Sequence, residues 1–119
     1  KLEEAARVQT SDELARLGNR IEALHSVPTA IASFALTPES FESTITNLIF
    51  LGGDTDTLAA MAGALSGAYL GSGRLPGRLV SLLESSPKGR EYLRQLAGHL
   101  FAVYQVKGVG NLQQESRHL

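Results

Sequence analysis

Gly52-Gly53-Asp54-Thr55-Asp56-Thr57 runs directly into Leu58-Ala-Ala-Met-Ala-Gly-Ala-Leu-Ser-Gly-Ala-Tyr-Leu70, and this stretch decides how the chain folds. Two carboxylates and two hydroxyls fall within four residues, behind a glycine pair and ahead of an uncharged helix. The glycines free the backbone for a tight turn, and the turn would cap a helix from about Thr57 to Leu70. Ala59, Ala60, Gly63, Ala64, Gly67, Ala68 and Gly71 form a small-residue stripe at offsets of three and four. Leu58, Met61, Leu65, Tyr69 and Leu70 lie on the other side, and no side chain from Thr57 to Gly73 is charged. A helix apolar all round is buried all round. Each internal glycine costs about 1 kcal/mol relative to alanine, so the spacing predicts a return through close helix approach. Such a helix calls for more polypeptide than the short amphipathic segments beside it.

Helical periodicity extends outward on both sides. Lys1 to Val8 reads as a helix tail. Thr10 and Glu13 have capping-box spacing for a short helix ending at Gly18. Ser26-Val27-Pro28 opens a helix to Leu36, with Pro28 in the first turn, where its missing N–H costs nothing. Thr37-Pro38-Glu39 repeats the signal for a helix with Phe41, Ile45, Leu48 and Ile49 on one face. Leu79 to Leu83 forms a short apolar helix, and a last one runs from about Lys88 to Tyr104 with Leu93, Leu96, Ala97, Leu100 and Val103 on one side. Residues 105–119 read as a loose polar tail, leaving 1–104 as the structured portion. The fold class is therefore all-α.

At 119 residues with a net charge of −1, the chain holds one modest core and lacks the basic patterning of a nucleic-acid binder. It has no cysteine, which excludes disulfides, zinc ribbons and thiol chemistry. No run reaches the roughly 18 apolar residues of a membrane span. Lys1 in place of Met leads to the expectation that more chain precedes it.

The acidic turn admits two readings. An Asp-Thr-Asp-Thr ahead of a helix can serve simply as a cap. Dense oxygen ligands also suit a hard divalent cation such as Mg²⁺. The helix terminus offers only about half a positive charge, too little for two adjacent carboxylates, and no Lys or Arg lies between Arg20 and Arg74. The Asp-x-Asp of haloacid-dehalogenase phosphatases fits poorly, because two glycines precede Asp54 and Leu58 stands where that motif has Thr or Val. Gly71-Ser72-Gly73 with Gly77 has the wrong spacing for a dinucleotide loop. His25, His99 and His118 lie far apart, without ligand spacing.

The segment from Leu51 to Gly71 closely resembles the C-terminal signature of the ADP-ribosylglycohydrolases. Leu17-Gly-Asn-Arg-Ile-Glu-Ala-Leu-His-Ser-Val-Pro-Thr-Ala-Ile31 resembles the segment preceding it there, and the likeness spans about residues 10–104. Within the family, Asp-Thr-Asp-Thr and Ser-Val-Pro-Thr-Ala are more similar to the third, serine-directed ADP-ribosylhydrolase branch than to the arginine-directed one. The resemblance implies the C-terminal helical portion of that fold and a hydrolase releasing ADP-ribose from serine and from poly(ADP-ribose). It implies a centre of two Mg²⁺ ions, with Asp54, Asp56 and Thr57 as ligands and Ile21 against ADP-ribose. It also implies an intracellular location in nucleus, cytoplasm and mitochondria. The family's Thr-Asp-Asp ligand cluster, flap glutamate and diphosphate loop have no counterpart here, and Arg20 stands where relatives tend to have Gly. The expected partner is thus the N-terminal portion of the same domain, without which the chain is incomplete and no catalytic acid is assigned. The alternatives are a silent ADP-ribose binder, a helical interaction module or an arginine-directed relative.

Overall fold

A computed structural model describes residues 2–115, with side chains described through residue 106. Every regular element among the described residues is helical: α1 (Leu2–Ala5), a 3₁₀ turn (Ser11–Arg16), α2 (Ala23–Leu36), α3 (Phe41–Leu51), α4 (Thr55–Leu70), a second 3₁₀ turn (Ser72–Arg74), α5 (Gly77–Leu82) and α6 (Arg90–Glu115). The chain forms two compact units, Lys1–Pro76 and Gly77–Leu119.

In the first unit α4 packs against both α2 and α3. Its covered stripe is Leu58, Ala62, Ser66 and Leu70, at strict four-residue spacing. Leu58 and Ala62 join Ala30 of α2 and Leu48 of α3 in one core cluster. Leu14, Leu17 and Ala32 form a second cluster with Ala5. A polar seam joins α2 to α3: Ser33 Oγ donates to the Thr44 carbonyl at 2.8 Å, and the Thr37 and Thr44 hydroxyls lie 3.1 Å apart.

Several elements begin elsewhere than the sequence predicts. Helix α2 starts at Ala23, so Pro28 lies inside it rather than in its first turn. Glu22 is an unremarkable cap residue whose carbonyl receives the His25 and Ser26 amides, which hides the true start. Helix α3 is capped by Ser40, whose Oγ accepts from the Ser43 amide at 3.2 Å, and not by Thr37. The Thr37 hydroxyl is committed to the seam, and Glu39 instead binds Tyr69 and Arg74. At the first 3₁₀ turn the expected capping box does not form: Thr10 makes no side-chain cap bond, and Glu13 accepts from the Gln9 amide at 2.9 Å, one residue ahead of the cap.

Helix α4 is not enclosed within the first unit. Ala60, Ala64 and Ala68 are exposed along one side, and Leu65 joins them. With α2 they border an open apolar groove of about 420 Å³ lined by Val27, Ile31, Met61, Ala64, Leu65 and Ala68. The glycines follow the same logic. A Cβ at Gly63 would meet Ile45 at an ordinary 3.5 Å, and one at Gly67 would meet nothing within 4 Å. Two neighbouring helices cover one flank of α4, and among the described residues of the first unit the small residues on its other flank have no counterpart.

In the second unit, the N–H of Arg90 donates to the Glu84 carbonyl at 3.0 Å and its guanidinium to the Val80 carbonyl at 3.2 Å. Gly89 is buried where any Cβ would strike the Glu84 backbone. The apolar side of α6 is exposed, Leu100 by 70% and Tyr104 by 71%. The helix continues through Glu115 instead of ending near Tyr104. No proline interrupts residues 105–115, and only two glycines oppose the helix there. Residues 116–119 of the expected tail, with His118, lie outside the described residues.

Candidate functional site

Helix α3 ends at Leu51, and two glycines with positive φ, Gly52 at 72° and Gly53 at 77°, turn the chain into α4. That conformation strains L side chains. Gly53 is restricted further, because an added Cβ would collide with the Asn19 carbonyl oxygen and lie 2.6 Å from its Cγ. The acidic turn is therefore the apex of a helical hairpin, pressed against the loop before α2.

Asp54 occupies the N-cap of α4, yet its side chain makes no capping hydrogen bond. Its backbone does the capping work: the carbonyl accepts from the Leu58 amide at 3.1 Å, and the N–H donates to the Asn19 carbonyl at 3.0 Å. Asp54 Oδ2 is buried and has no hydrogen-bond partner. Buried carboxylate oxygens are rarely left without a partner. Beside it, Asp56 Oδ1 accepts the Thr57 amide at 2.9 Å. Hydrogen bonding to the Asp54 carboxyl, then to the Thr57 N–H, holds the Asp56 carboxyl below the ordinary carboxylate range. Two carboxylates and a threonine thus share the first turn of one helix, with Asp54 Oδ2 still unclaimed. This all-oxygen set fits Mg²⁺. Among the described residues, no group of three or more His, Cys, Asp or Glu gathers as a complete metal cage.

Ile21 is 72% exposed and lies two residues beyond Asn19. The loop beneath it is pinned at three successive carbonyls. Leu17 O is 3.1 Å from His25 Nδ1, and since a carbonyl only accepts, that nitrogen carries the hydrogen. Gly18 O receives the Thr29 hydroxyl at 2.6 Å, and Asn19 O receives the Asp54 amide. Asn19 Nδ2 also reaches the Leu51 carbonyl at 3.4 Å. The structure therefore ties the Ile21 loop to the acidic turn through Asn19. Sequence reasoning singled out neither Asn19 nor Thr29. The only hint was the placement of Gly18-Asn19 between a helix stop and a helix start.

Comparison with known proteins places these residues in context. The ADP-ribosylglycohydrolase family model matches residues 1–110. The chain is 46% identical over 83 residues to the ADP-ribosylhydrolase ARH3 of Gallus gallus, covering 61% of this chain and 23% of that protein. It is 39% identical over 115 residues to that of Homo sapiens, covering 88% and 31%. The corresponding figures for Mus musculus are 40% over 108 residues, 82% and 28%. The chain thus spans between about a quarter and a third of these curated relatives. No solved structure matches it.

Proposed function

Because the chain belongs to the ADP-ribosylglycohydrolase family, we propose that it carries one wall of a Mg²⁺-dependent ADP-ribosyl-acceptor hydrolase site. The bond cut is the O-glycosidic bond of ADP-ribose on serine and within poly(ADP-ribose). The other wall comes from the greater length of domain that the relatives carry, and this chain alone is not a competent hydrolase.

The observation carrying this reading is the unclaimed Oδ2 of Asp54. The side chain stands where a cap would stand, does not cap, and keeps a buried oxygen without a partner. Asp54, Asp56 and the Thr57 hydroxyl would hold the cation. The chemistry a bound Mg²⁺ pair would supply is charge for the ribose hydroxyls and a water of lowered pKa for attack at the anomeric carbon. Asp54 and Asp56 serve as ligands and so make poor proton donors. Protonation of the leaving group would need a different residue, in a less charged setting. Ile21, exposed on a loop tied to the acidic turn, offers an apolar surface to ADP-ribose. The open side of α4 supports the same reading, since an uncharged helix face is built to be covered.

The test joins this chain to the remaining length of domain found in its relatives. Release of ADP-ribose is then measured from a serine-modified peptide and from poly(ADP-ribose), with and without Mg²⁺. Asp54→Asn and Asp56→Asn are expected to lower the rate about 100-fold or more. Wild-type rates in both variants would overturn the ligand assignment. Tight ADP-ribose binding without turnover would replace the hydrolase with a silent binder.

A further inference from the structure

The Ile21 loop and the acidic turn belong to distant parts of the chain, yet both depend on one buried hydroxyl. Thr29 lies in α2, fully buried, and its 2.6 Å bond to the Gly18 carbonyl is the shortest of the three that pin the loop. Gly18 has φ 98°, so the chain reverses there, and the next carbonyl, that of Asn19, is taken by the Asp54 amide instead of by α2. Asn19 then touches the turn in three ways: its carbonyl to Asp54 N–H, its amide to Leu51 O, and its flank against Gly53, where no Cβ fits. One peptide unit separates the carbonyl that Thr29 holds from the carbonyl that holds Asp54.

We propose that Thr29 is a positioning residue. Through the Gly18 carbonyl it fixes the loop bearing Ile21, and through Asn19 it fixes the backbone of Asp54. Thr29 is fully buried and acts through the backbone. It sets the separation between an apolar contact and a carboxylate that must act on the same ADP-ribose, and tolerances in such constellations are of the order of 1 Å or less. This role rests on the reading of Asp54 and Ile21 as site residues, but the linkage itself is a property of the apo chain.

Amide hydrogen exchange on the full 119-residue chain tests it, without cation or ADP-ribose. Thr29→Val keeps the shape and removes the donor; Thr29→Ser keeps the donor. In Thr29→Val the Asp54 amide should exchange about tenfold faster or more, while the Ala62 and Ser66 amides in the core of α4 stay within about twofold of wild type. Thr29→Ser should restore Asp54 protection. An unchanged Asp54 amide in Thr29→Val overturns the proposal. So does acceleration shared equally with Ala62 and Ser66, or a failure of serine to rescue. If Thr29→Val does not fold, Thr29→Cys, a weak donor of similar size, carries the same comparison. A failure here leaves the Mg²⁺ reading standing, and a failure of the hydrolase assay leaves this linkage standing.

Discussion

Tyr69 donates its phenolic hydrogen to Glu39 Oε1 across 2.9 Å, joining the last turn of α4 to the linker ahead of α3. Arg74 meets the other oxygen of the same carboxylate at 3.3 Å, and the Tyr69 ring stands edge-on to Phe34 at 5.7 Å between centroids. The hydrogen bond to Glu39, and then its charge, raise the Tyr69 phenol above its ordinary value of 10.0. A proton held more tightly in the folded state stabilises fully below the unfolded value and ceases to do so as pH rises through the folded one. Thermal melting followed between pH about 9 and about 11.5 should therefore show an alkaline fall in Tm that Tyr69→Phe reduces. An identical fall in both proteins would show that the contact is not maintained in solution.

Ser66 sits at the centre of the covered stripe of α4, fully buried, with its hydroxyl unpartnered. An unsatisfied buried hydroxyl costs about 1–3 kcal/mol, and alanine is also the better helix former. Ser66→Ala should raise stability by about 1 kcal/mol, or Tm by roughly 4–8 °C in a unit of this size. A lower midpoint in urea would reveal a hidden partner for the hydroxyl.

The two glycines Gly53 and Gly67 should respond in opposite directions to alanine. Gly67 has helical backbone and open space around the missing Cβ, so Gly67→Ala should stabilise the chain by about 1 kcal/mol. Gly53 combines positive φ with contact against Asn19, so Gly53→Ala should destabilise by about 2 kcal/mol or more. Paired urea titrations check the contrast, and equal effects of the same sign would contradict the geometry.

Asp54 supplies a test that links stability to function. Its side chain caps nothing and keeps an oxygen buried without a partner. Asp54→Asn, which removes one of two adjacent carboxylates, should leave the chain as stable as before or more so by about 1 kcal/mol in the absence of divalent ions. A carboxylate that served as an ordinary cap would instead show a loss of about 1 kcal/mol. Melting curves of both proteins in a chelator-treated buffer distinguish the two.

The parts of the fold legible in sequence were those set by local chemistry. Gly52-Gly53 announced the turn because positive φ is glycine's own territory, and Gly18 announced the end of the first 3₁₀ turn for the same reason. The α2 start was hidden because Glu22 caps through its carbonyl, which carries no side-chain signal, while Pro28 imitated a first-turn residue. Thr37 resembled a cap but was claimed by the seam to α3. The small-residue stripe of α4 was visible, but its meaning was not: the sequence does not say which flank this chain covers and which it leaves open. Of the candidate site, the roles of Asp54, Asp56, Thr57 and Ile21 came from motif resemblance alone. Asn19 and Thr29 act through backbone carbonyls brought together by the fold, and no residue pattern encodes that.

The α3–α4 hairpin confines the acidic turn to a stretch of about thirty residues joined by a two-glycine reversal. Contacts that close over so short a span form early, because little chain entropy is lost in bringing them together. The Asn19 carbonyl must arrive from a distant stretch of chain to receive the Asp54 amide. The expected order of assembly follows: the apex bearing the two carboxylates takes shape first, and the loop bearing Ile21 is fitted to it afterwards. Errors in the second step would leave a folded hairpin with a misplaced loop, a fault read most directly at the Asp54 amide.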